Sequence, residues 1–349
     1  MNHQSHPAVT LLSELLAVAS PSGYEGRLAE IVRTKLSGFG YQPETDGAGN
    51  VFVRFPGQNP QAPLVCLAAH MDEIGFVVTR IEADGSLRLQ RNGGLYPWKQ
   101  GEGPVEIVGD QGSITAVLSM GSTHAAVADR AVQWEDVRVI TGLTPEQLRA
   151  VGVRPGSPGV PIQAVRGPVI FGDLADPLLG AWTFDDRMGV VALLRLLETI
   201  QKEGLQPQQP TIIAFVTCEE VGGFGAKALA QRERPHTFIA IDGCPIPPGT
   251  PLQIDGRPGI WTYDRHGPYN PKLVAELSQL AQTVGTELQP AAYNSTASDA
   301  SMVYEVGGAE RVACFGHVRE NSHGYEVARL SVFDNLLKVL VAFIKQWKV

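Results

Sequence analysis

The sequence predicts a three-layer α/β/α domain interrupted by a small β-rich insertion, and two observations support this prediction. Short apolar, β-branched segments alternate with amphipathic helical segments in residues 1–75 and again in residues 169–349. This alternation is typical of a largely parallel sheet covered by helices. Between them, residues 76–168 carry short strand-like segments separated by glycine and turn residues, as in a small barrel or sandwich. We therefore expect one α/β domain in two segments, with residues 76–168 as an inserted domain.

The first segment begins with helices and leads into a central strand. Apolar residues at helical spacing indicate a helix over residues 8–19, and a second amphipathic helix is expected with Ser22 or Gly23 near its N-cap. The apolar run 64–69 ends directly at His70. This pattern predicts a buried strand that leads into polar residues.

The insertion is expected to contain several strands and one short helix. Thr144 as N-cap, Pro145 at the first helical position and Gln147 in a capping box indicate the helix. The predicted strands cover residues 77–81, 87–89, 105–108, 114–118 and 137–140.

The α/β alternation resumes in the second segment. A helix is expected to begin near Asp185 or Asp186, and another at Asn270, which is a good N-cap residue. The other predicted elements are strands over 169–171, 211–217, 238–241 and 312–315, a helix from about residue 225 and a closing helix over 331–347.

Composition excludes several classes of protein. The 349 residues carry a net charge of −8 and no basic block, which argues against binding to nucleic acid or to anionic membranes. No apolar run is long enough to span a bilayer, and the first residues do not resemble a secretory signal. The four cysteines are far apart and are expected to be buried thiols. We expect a soluble cytoplasmic protein.

Carboxylates and histidines follow the predicted strands. Each has a structural explanation when taken alone, such as helix capping for Asp185, but the carboxyl ends of parallel strands meet at one edge of a sheet. Two histidines, two aspartates and one glutamate at such an edge can hold two divalent ions about 3.5–4 Å apart, and a further glutamate remains as a general base. The residues concerned are His70, Asp185, Glu219, Glu220, Asp242 and His323.

These motifs together resemble a known family. The chain is similar to the dinuclear zinc aminopeptidases related to glutamyl aminopeptidase and the tetrahedral TET peptidases, which form family M42 of peptidase clan MH and include members labelled cellulase M. The similarity covers nearly the full length. The segments that carry it include AAHMDEIGF (68–76), FDDRMG (184–189), TCEEVGGFGA (217–226) and AIDG (240–243), and it is the combination of HMDEIG, DDR and EEVG that is specific.

The resemblance implies a ligand set for two divalent ions per subunit, with zinc expected and cobalt or manganese as alternatives. His70 and Asp242 would bind one ion. Glu220 and His323 would bind the other, and Asp185 would bridge both.

The resemblance also implies how the reaction proceeds. Glu219 would act as the general base that deprotonates a water held between the metals, and Asp72 would orient His70. The water would then attack the first peptide bond of a short peptide whose carbonyl is polarised by a metal. The expected fold is the phosphorylase/hydrolase-like zinc-peptidase domain with a PDZ-like β-barrel as apical or dimerisation domain. A homo-oligomer is expected, with a tetrahedral dodecamer as one form.

Three segments depart from the family pattern, and one of them is the apical segment around residues 125–134. A Gly-Thr-Asp-Ala loop is usual, whereas residues 296–300 read TASDA. The last histidine usually lies in an Arg-Tyr-x-His-Ser-Pro-x-Glu context, whereas residues 319–326 read RENSHGYE. His317 is therefore an alternative to His323 as the last ligand.

Three other functions are compatible with parts of the pattern. A related dinuclear carboxypeptidase or amidase would share the ligands but act on a different bond. An endoglucanase would use two carboxylates on a glycosidic bond, but it would leave both histidines without a role. A catalytically inactive assembly module is the third alternative, although every predicted site position keeps a side chain capable of its role.

Overall fold

The first helices and strands form one side of the main sheet. The computed structural model describes residues 6–122 and 130–349. Residues 125–129 of the apical segment that departs from the family pattern therefore lie outside the described residues. Helix α2 begins at Gly26 rather than near Ser22, because the Ser22 hydroxyl donates to the Asp72 carboxylate (Oγ–Oδ2 2.6 Å) instead of capping a helix. The elements are α1 (Pro7–Leu16), α2 (Gly26–Gly38), β1 (Glu44–Thr45), β2 (Val51–Phe55) and β3 (Val65–His70).

The inserted segment folds as a closed barrel, which confirms the predicted β-rich insertion. Its elements are β4 (Gly75–Ile81), β5 (Leu87–Asn92), α3 (Pro97–Gln100), β6 (Gly103–Gly109), β7 (Gly112–Ser119), β8 (Arg138–Ile140), α4 (Pro145–Ala150) and β9 (Pro158–Pro161). The strands close in the order β4-β5-β8-β7-β6-β9. Strand β9 was not predicted, because its two prolines argue against a strand. The capping box of Thr144 and Gln147 is present, whereas the exact domain limits at residues 76 and 168 stay a prediction.

The remainder of the chain completes the α/β domain. Asn270 caps helix α7 as predicted, since its Oδ1 accepts from the Leu273 amide at 2.9 Å. The elements are β10 (Val169–Phe171), β11 (Leu178–Trp182), α5 (Phe184–Glu203), β12 (Thr211–Val216), α6 (Phe224–Glu233), β13 (Thr237–Ile241), β14 (Cys244–Pro245), β15 (Gly259–Asp264), β16 (Gly267–Pro268), α7 (Pro271–Thr283), β17 (Gln289–Ala292), α8 (Asp299–Glu305), β18 (Arg311–Gly316), β19 (Val318–Arg319), β20 (Tyr325–Arg329) and α9 (Val332–Gln346).

The main sheet brings the ends of its central strands to one edge. Its order is β1-β2-β12-β3-β13-β18-β15-β16, with β17 paired to β15. Strands β12, β3, β13 and β18 run parallel, and Val216 at the end of β12 lies beside His70 at the end of β3. Ligands bind beyond the carboxyl ends of such strands, so the sheet places the residues that follow β3, β12 and β13 close together.

Alternate residues of the central strands pack against two different helix layers. On β3, Leu67 and Ala69 belong to the core formed with α1, α2, α5, α7 and α9. Cys66 and Ala68 belong to the core formed with α6 and α8. Apolar side chains on both faces are typical of a covered parallel sheet, and the predicted three-layer α/β/α fold is confirmed. None of the helices in the described residues is long and apolar enough to cross a bilayer.

Candidate active site

The predicted site residues lie together at the carboxyl edge of the main sheet. His70 is the last residue of β3, the Glu219–Glu220 pair lies in the turn after β12, and Asp242 follows β13. The other two come from the start of α5 and from the segment between β19 and β20, and they are Asp185 and His323.

Asp185 lies between the two histidines. Its Oδ1 is 3.1 Å from His70 Nε2, and its Oδ2 is 3.4 Å from His323 Nε2. Glu220 joins this group, since its Oε2 lies 3.5 Å from His323 Nε2. A carboxylate with one oxygen toward each imidazole has the arrangement that a bridging ligand needs.

A second aspartate, Asp186, also faces His70. Ligand atoms of His70, Asp186 and Asp242 lie within 4.8 Å of one another, as do those of His70, Asp185 and Glu220. Asp186 accepts hydrogen bonds from the His70 amide (3.3 Å) and from the Gly189 amide (3.1 Å). Sequence reasoning did not include Asp186 in the site, because two adjacent aspartates in DDR do not show which one faces a ligand.

Asp72 holds three site residues in place. Its Oδ1 lies 3.3 Å from His70 Nδ1 and accepts a hydrogen bond from the Glu219 amide (2.9 Å), while Oδ2 accepts one from the Glu220 amide (3.1 Å). Burial acts to raise the pKa of Asp72, but the hydrogen bond and charge of His70 hold it below its ordinary value. Asp72 thus contacts the His70 ring and accepts hydrogen bonds from the main chain of the glutamate pair.

His323 is held by the inserted barrel. Its Nδ1 lies 3.1 Å from the carbonyl oxygen of Gly94, which can only accept, so Nε2 is directed toward Asp185 and Glu220. His317 has a different environment, because its Nε2 lies 3.5 Å from Arg319 Nη1 and its ring packs edge-on against Phe184. The structure thus places His323, the predicted residue, beside Glu220.

Replacing Gly94 by alanine is expected to displace His323. A Cβ at Gly94 would lie 2.5 Å from His323 Nδ1 and 2.6 Å from Cε1, which is too close for the ring to remain in place. We expect a loss of catalytic activity of at least about tenfold with an unchanged unfolding midpoint, as measured by steady-state kinetics and thermal melting. Gly47→Ala is the control, because a Cβ there meets nothing within 4 Å. Full activity in Gly94→Ala would contradict the assigned contact.

Burial and mutual repulsion raise the pKa of several carboxyls at the site. Burial is the main reason that the pKa of Glu219 lies well above its ordinary value, and Asp299, Glu220 and Asp242 add to it. Burial, with the charge on Asp185, likewise raises the pKa of Glu220 to about 8 and that of Asp242 to about 6. Ionising these carboxyls together is therefore unfavourable unless a further cation is bound beside them.

A buried ion cluster lies under the site. Glu73 Oε1 is 2.9 Å from Arg166 Nη1 and 3.3 Å from Arg187 Nη2. Arg187 Nη1 also donates to the carbonyl oxygen of Met71 (2.6 Å), one residue after His70. Glu73 lies just before the first barrel strand, β4, and Arg166 lies just after the last, β9. The cluster therefore links the two ends of the barrel segment to the main sheet.

A cleft of about 1210 Å³ opens above the site. One wall comes from the barrel, where the exposed rings of Tyr96 and Trp98 stack with centroids 5.7 Å apart. The floor includes Asp185, Glu219 and His323. A cleft of this size with charged groups at its base is a candidate ligand-binding site.

The donor set fits divalent metal ions. Imidazole and carboxylate are the ligands that zinc and similar ions take in proteins. Glu220 Oε1 is buried and has no hydrogen-bond partner among the described residues, although buried polar atoms are nearly always paired. A ligand role would satisfy it, and the raised pKa values of Glu220 and Asp242 point the same way.

Comparison with known proteins identifies the family. Residues 49–339 match the model of the M42 glutamyl aminopeptidase family. The chain is 30% identical over 256 residues to the glutamyl aminopeptidase of Lactococcus lactis, and this alignment covers 66% of the chain and 65% of that enzyme. It therefore spans slightly less than two thirds of that relative's length.

Solved structures share the fold over almost the whole chain. The TET1 peptidase of Pyrococcus horikoshii, which assembles into a tetrahedron or a large octahedral shell, is 25% identical, with a TM-score of 0.84 and coverage of 97% of this chain and 100% of that one. A TET aminopeptidase from a marine sediment thaumarchaeon is 20% identical, with a TM-score of 0.89 and coverage of 98% and 97%. Because the family model spans most of the sequence, the chain belongs to the M42 glutamyl aminopeptidase family.

Proposed function

We propose that the protein is a metal-dependent aminopeptidase that hydrolyses the N-terminal peptide bond of short peptides. The observation that carries this proposal is the convergence of two histidines and a set of carboxylates at the base of one cleft, in a chain of the M42 family. Buried carboxylates are unfavourable without a cation, so this arrangement is better explained by metal chemistry than by stability.

The ligand set proposed for two divalent ions is shared between the strand ends. His70 and Asp242 would hold one ion, Glu220 and His323 the other, and Asp185 would contact both. Zinc suits these donors, and cobalt or manganese are alternatives. When bound, such ions polarise the scissile carbonyl and make water a stronger nucleophile.

Glu219 is the residue best placed to move the proton. Its Oε2 lies 4.0 Å from His70 Nε2, it lines the cleft, and its amide is fixed by Asp72. We infer that the Glu219 carboxylate accepts a proton from the attacking water and passes it to the departing amine. Asp72 keeps His70 oriented throughout and is itself fully buried.

The cleft and the relatives support a proposal about substrate and assembly. A peptide lying across the stacked Tyr96 and Trp98 rings would reach the carboxylates at the base of the cleft. The assembly of the Pyrococcus horikoshii relative supports a homo-oligomer here, with a tetrahedral dodecamer as the proposed form. Its cytoplasmic location stays an expectation.

Two alternative reactions differ in how far the geometry argues against them. A carboxypeptidase or amidase would use the same ligands, so substrate tests rather than the ligand geometry distinguish it. An endoglucanase needs two carboxylates on opposite sides of a glycosidic bond, whereas Glu219 lies beside His70 and Glu220 beside His323, each close to an imidazole.

Blocked peptides distinguish these reactions. We expect a tripeptide amide with a free N-terminus to be cleaved, and its N-acetylated form to be cleaved at least about 100-fold more slowly, because a site built for an amino group rejects a substrate without it. Equal cleavage of both forms would contradict aminopeptidase action. Cleavage that requires a free C-terminal carboxylate would indicate a carboxypeptidase, and cellulose hydrolysis that persists with chelator would indicate the endoglucanase.

A further inference from the structure

Glu326 connects the main chains of two proposed metal ligands. It lies on β20 and is fully buried. Its Oε2 accepts a hydrogen bond from the Asp185 amide (2.9 Å), and its Oε1 accepts one from the His323 amide (3.0 Å). One side chain therefore fixes the backbone of the proposed bridging ligand and of the last histidine, which lie far apart in sequence.

Arg319 extends this connection to Asp242. Its Nε lies 3.1 Å from Glu326 Oε1, its Nη2 contacts Asp185 Oδ2, and its Nη1 lies 3.7 Å from Asp242 Oδ1. Only 3% of the residue is exposed. Gly243 makes room for it, because a Cβ at that position would collide with Nη1. Only a residue without a side chain at Gly243 thus permits this placement of the guanidinium.

The contacts of Arg319 favour a role in positioning over a role in substrate binding. Although the residue borders the cleft, its Nη2 donates to Asp185, its Nη1 lies 3.7 Å from Asp242, and its Nε lies 3.1 Å from Glu326 Oε1 without a hydrogen-bond partner among the described residues. A planar guanidinium holds two or three acceptors in a fixed relative geometry, which a lysine ammonium cannot reproduce. Asp72 has the corresponding role for His70 and the glutamate pair.

We propose that Glu326 and Arg319 form a positioning pair that sets the spacing between Asp185 and His323, and with it the affinity of the ion on the His323 side. This inference rests on the proposed metal site. The ion on the His323 side is expected to be affected more strongly, because Glu326 holds the main chains of both Asp185 and His323, whereas His70 on the other side is held independently by Asp72.

Zinc titration of the apo-protein by calorimetry tests the pair without relying on activity. We expect wild type to bind two ions, and Glu326→Gln to bind one of them about 10–100-fold more weakly, with a much smaller change in the other. The affected ion is identified by comparison with His323→Ala. Asp264→Asn is the matched control, because Asp264 is equally buried and accepts from Tyr269 Oη and the His266 amide (both 2.8 Å) outside the ligand set.

Arg319 variants show whether the positive charge of residue 319 is sufficient or whether the planar guanidinium group is required. Arg319→Lys is expected to bind zinc more weakly, as Arg319→Ala does, with both ions affected because Arg319 contacts Asp185 and lies near Asp242. Guanidinium added at a sub-denaturing concentration is expected to restore zinc affinity in Arg319→Ala, whereas methylammonium is not. If circular dichroism shows that Glu326→Gln does not fold, this rescue still tests whether Arg319 positions the metal ligands.

Failure of the positioning pair and failure of the proposed function give different results in these titrations. Unchanged affinity or equal loss of both ions in Glu326→Gln, or no response to guanidinium in Arg319→Ala, would overturn the positioning pair while leaving the aminopeptidase proposal in place. A wild-type protein that binds no divalent ion would instead overturn the proposed function itself.

Discussion

Replacing Glu219 by glutamine is expected to lower kcat by about 10²–10⁴-fold while both divalent ions remain bound. Glutamine has nearly the same shape as glutamate, and the hydrogen bond from the residue 219 amide to Asp72 involves only the main chain. The variant therefore keeps the turn that carries Glu220 but loses the group that accepts the proton. Steady-state kinetics on an aminoacyl-p-nitroanilide, together with metal analysis, checks both parts of the expectation.

Glu220→Gln is the informative comparison for this variant. Glu220 lies 3.5 Å from His323 and has a buried oxygen without a hydrogen-bond partner among the described residues. We therefore expect Glu220→Gln to lose one ion, in contrast to Glu219→Gln. Full activity in Glu219→Gln would show that the general base is a different residue. Loss of an ion in that variant would show that Glu219 is a ligand.

Replacing Asp185 by asparagine is expected to abolish tight binding of both ions and to reduce activity by at least about 10³-fold, since bound metal contributes several kcal/mol to transition-state stabilisation. Asp185 has one carboxylate oxygen toward His70 and the other toward His323. An amide removes the charge and places an N–H₂ group opposite one imidazole. Zinc stoichiometry after reconstitution and the residual kcat are the measurements.

Asp186→Asn is the matched control for Asp185→Asn. The adjacent aspartate is equally part of a buried group around His70, but it also accepts hydrogen bonds from the amides of His70 and Gly189. We expect Asp186→Asn to retain both ions, with a smaller loss of activity. The reverse result, in which Asp186→Asn loses metal and Asp185→Asn keeps it, would exchange the roles of the two aspartates.

The position of the site was predictable because strand ends have a simple geometry. Apolar, β-branched runs fix where β3, β12 and β13 end, and parallel pairing brings those ends to the same edge. His70, Glu219 and Asp242 are close together for this reason. The alternation of helical and strand-like segments likewise predicts the three layers, and the β-rich character of the insertion predicts the barrel.

The residues that support the site were less predictable, since their roles depend on contacts between distant segments. Gly94 reaches His323 only because the barrel folds back over the sheet edge. Glu326 accepts hydrogen bonds from main-chain amides, and such contacts do not depend on the identity of the donor residue, so the sequence does not indicate them. The choice between His323 and His317 also depends on loop geometry, because His323 has a left-handed backbone (φ 58°) and its ring contacts the Gly94 carbonyl oxygen.

Anomalous X-ray scattering at the zinc edge, from crystals grown with zinc, tests the central proposal most directly. We expect two peaks about 3.5–4 Å apart, with Asp185 between them, one beside His70 and Asp242 and the other beside Glu220 and His323. A single peak, or zinc bound only elsewhere on the protein, would contradict a dinuclear aminopeptidase site.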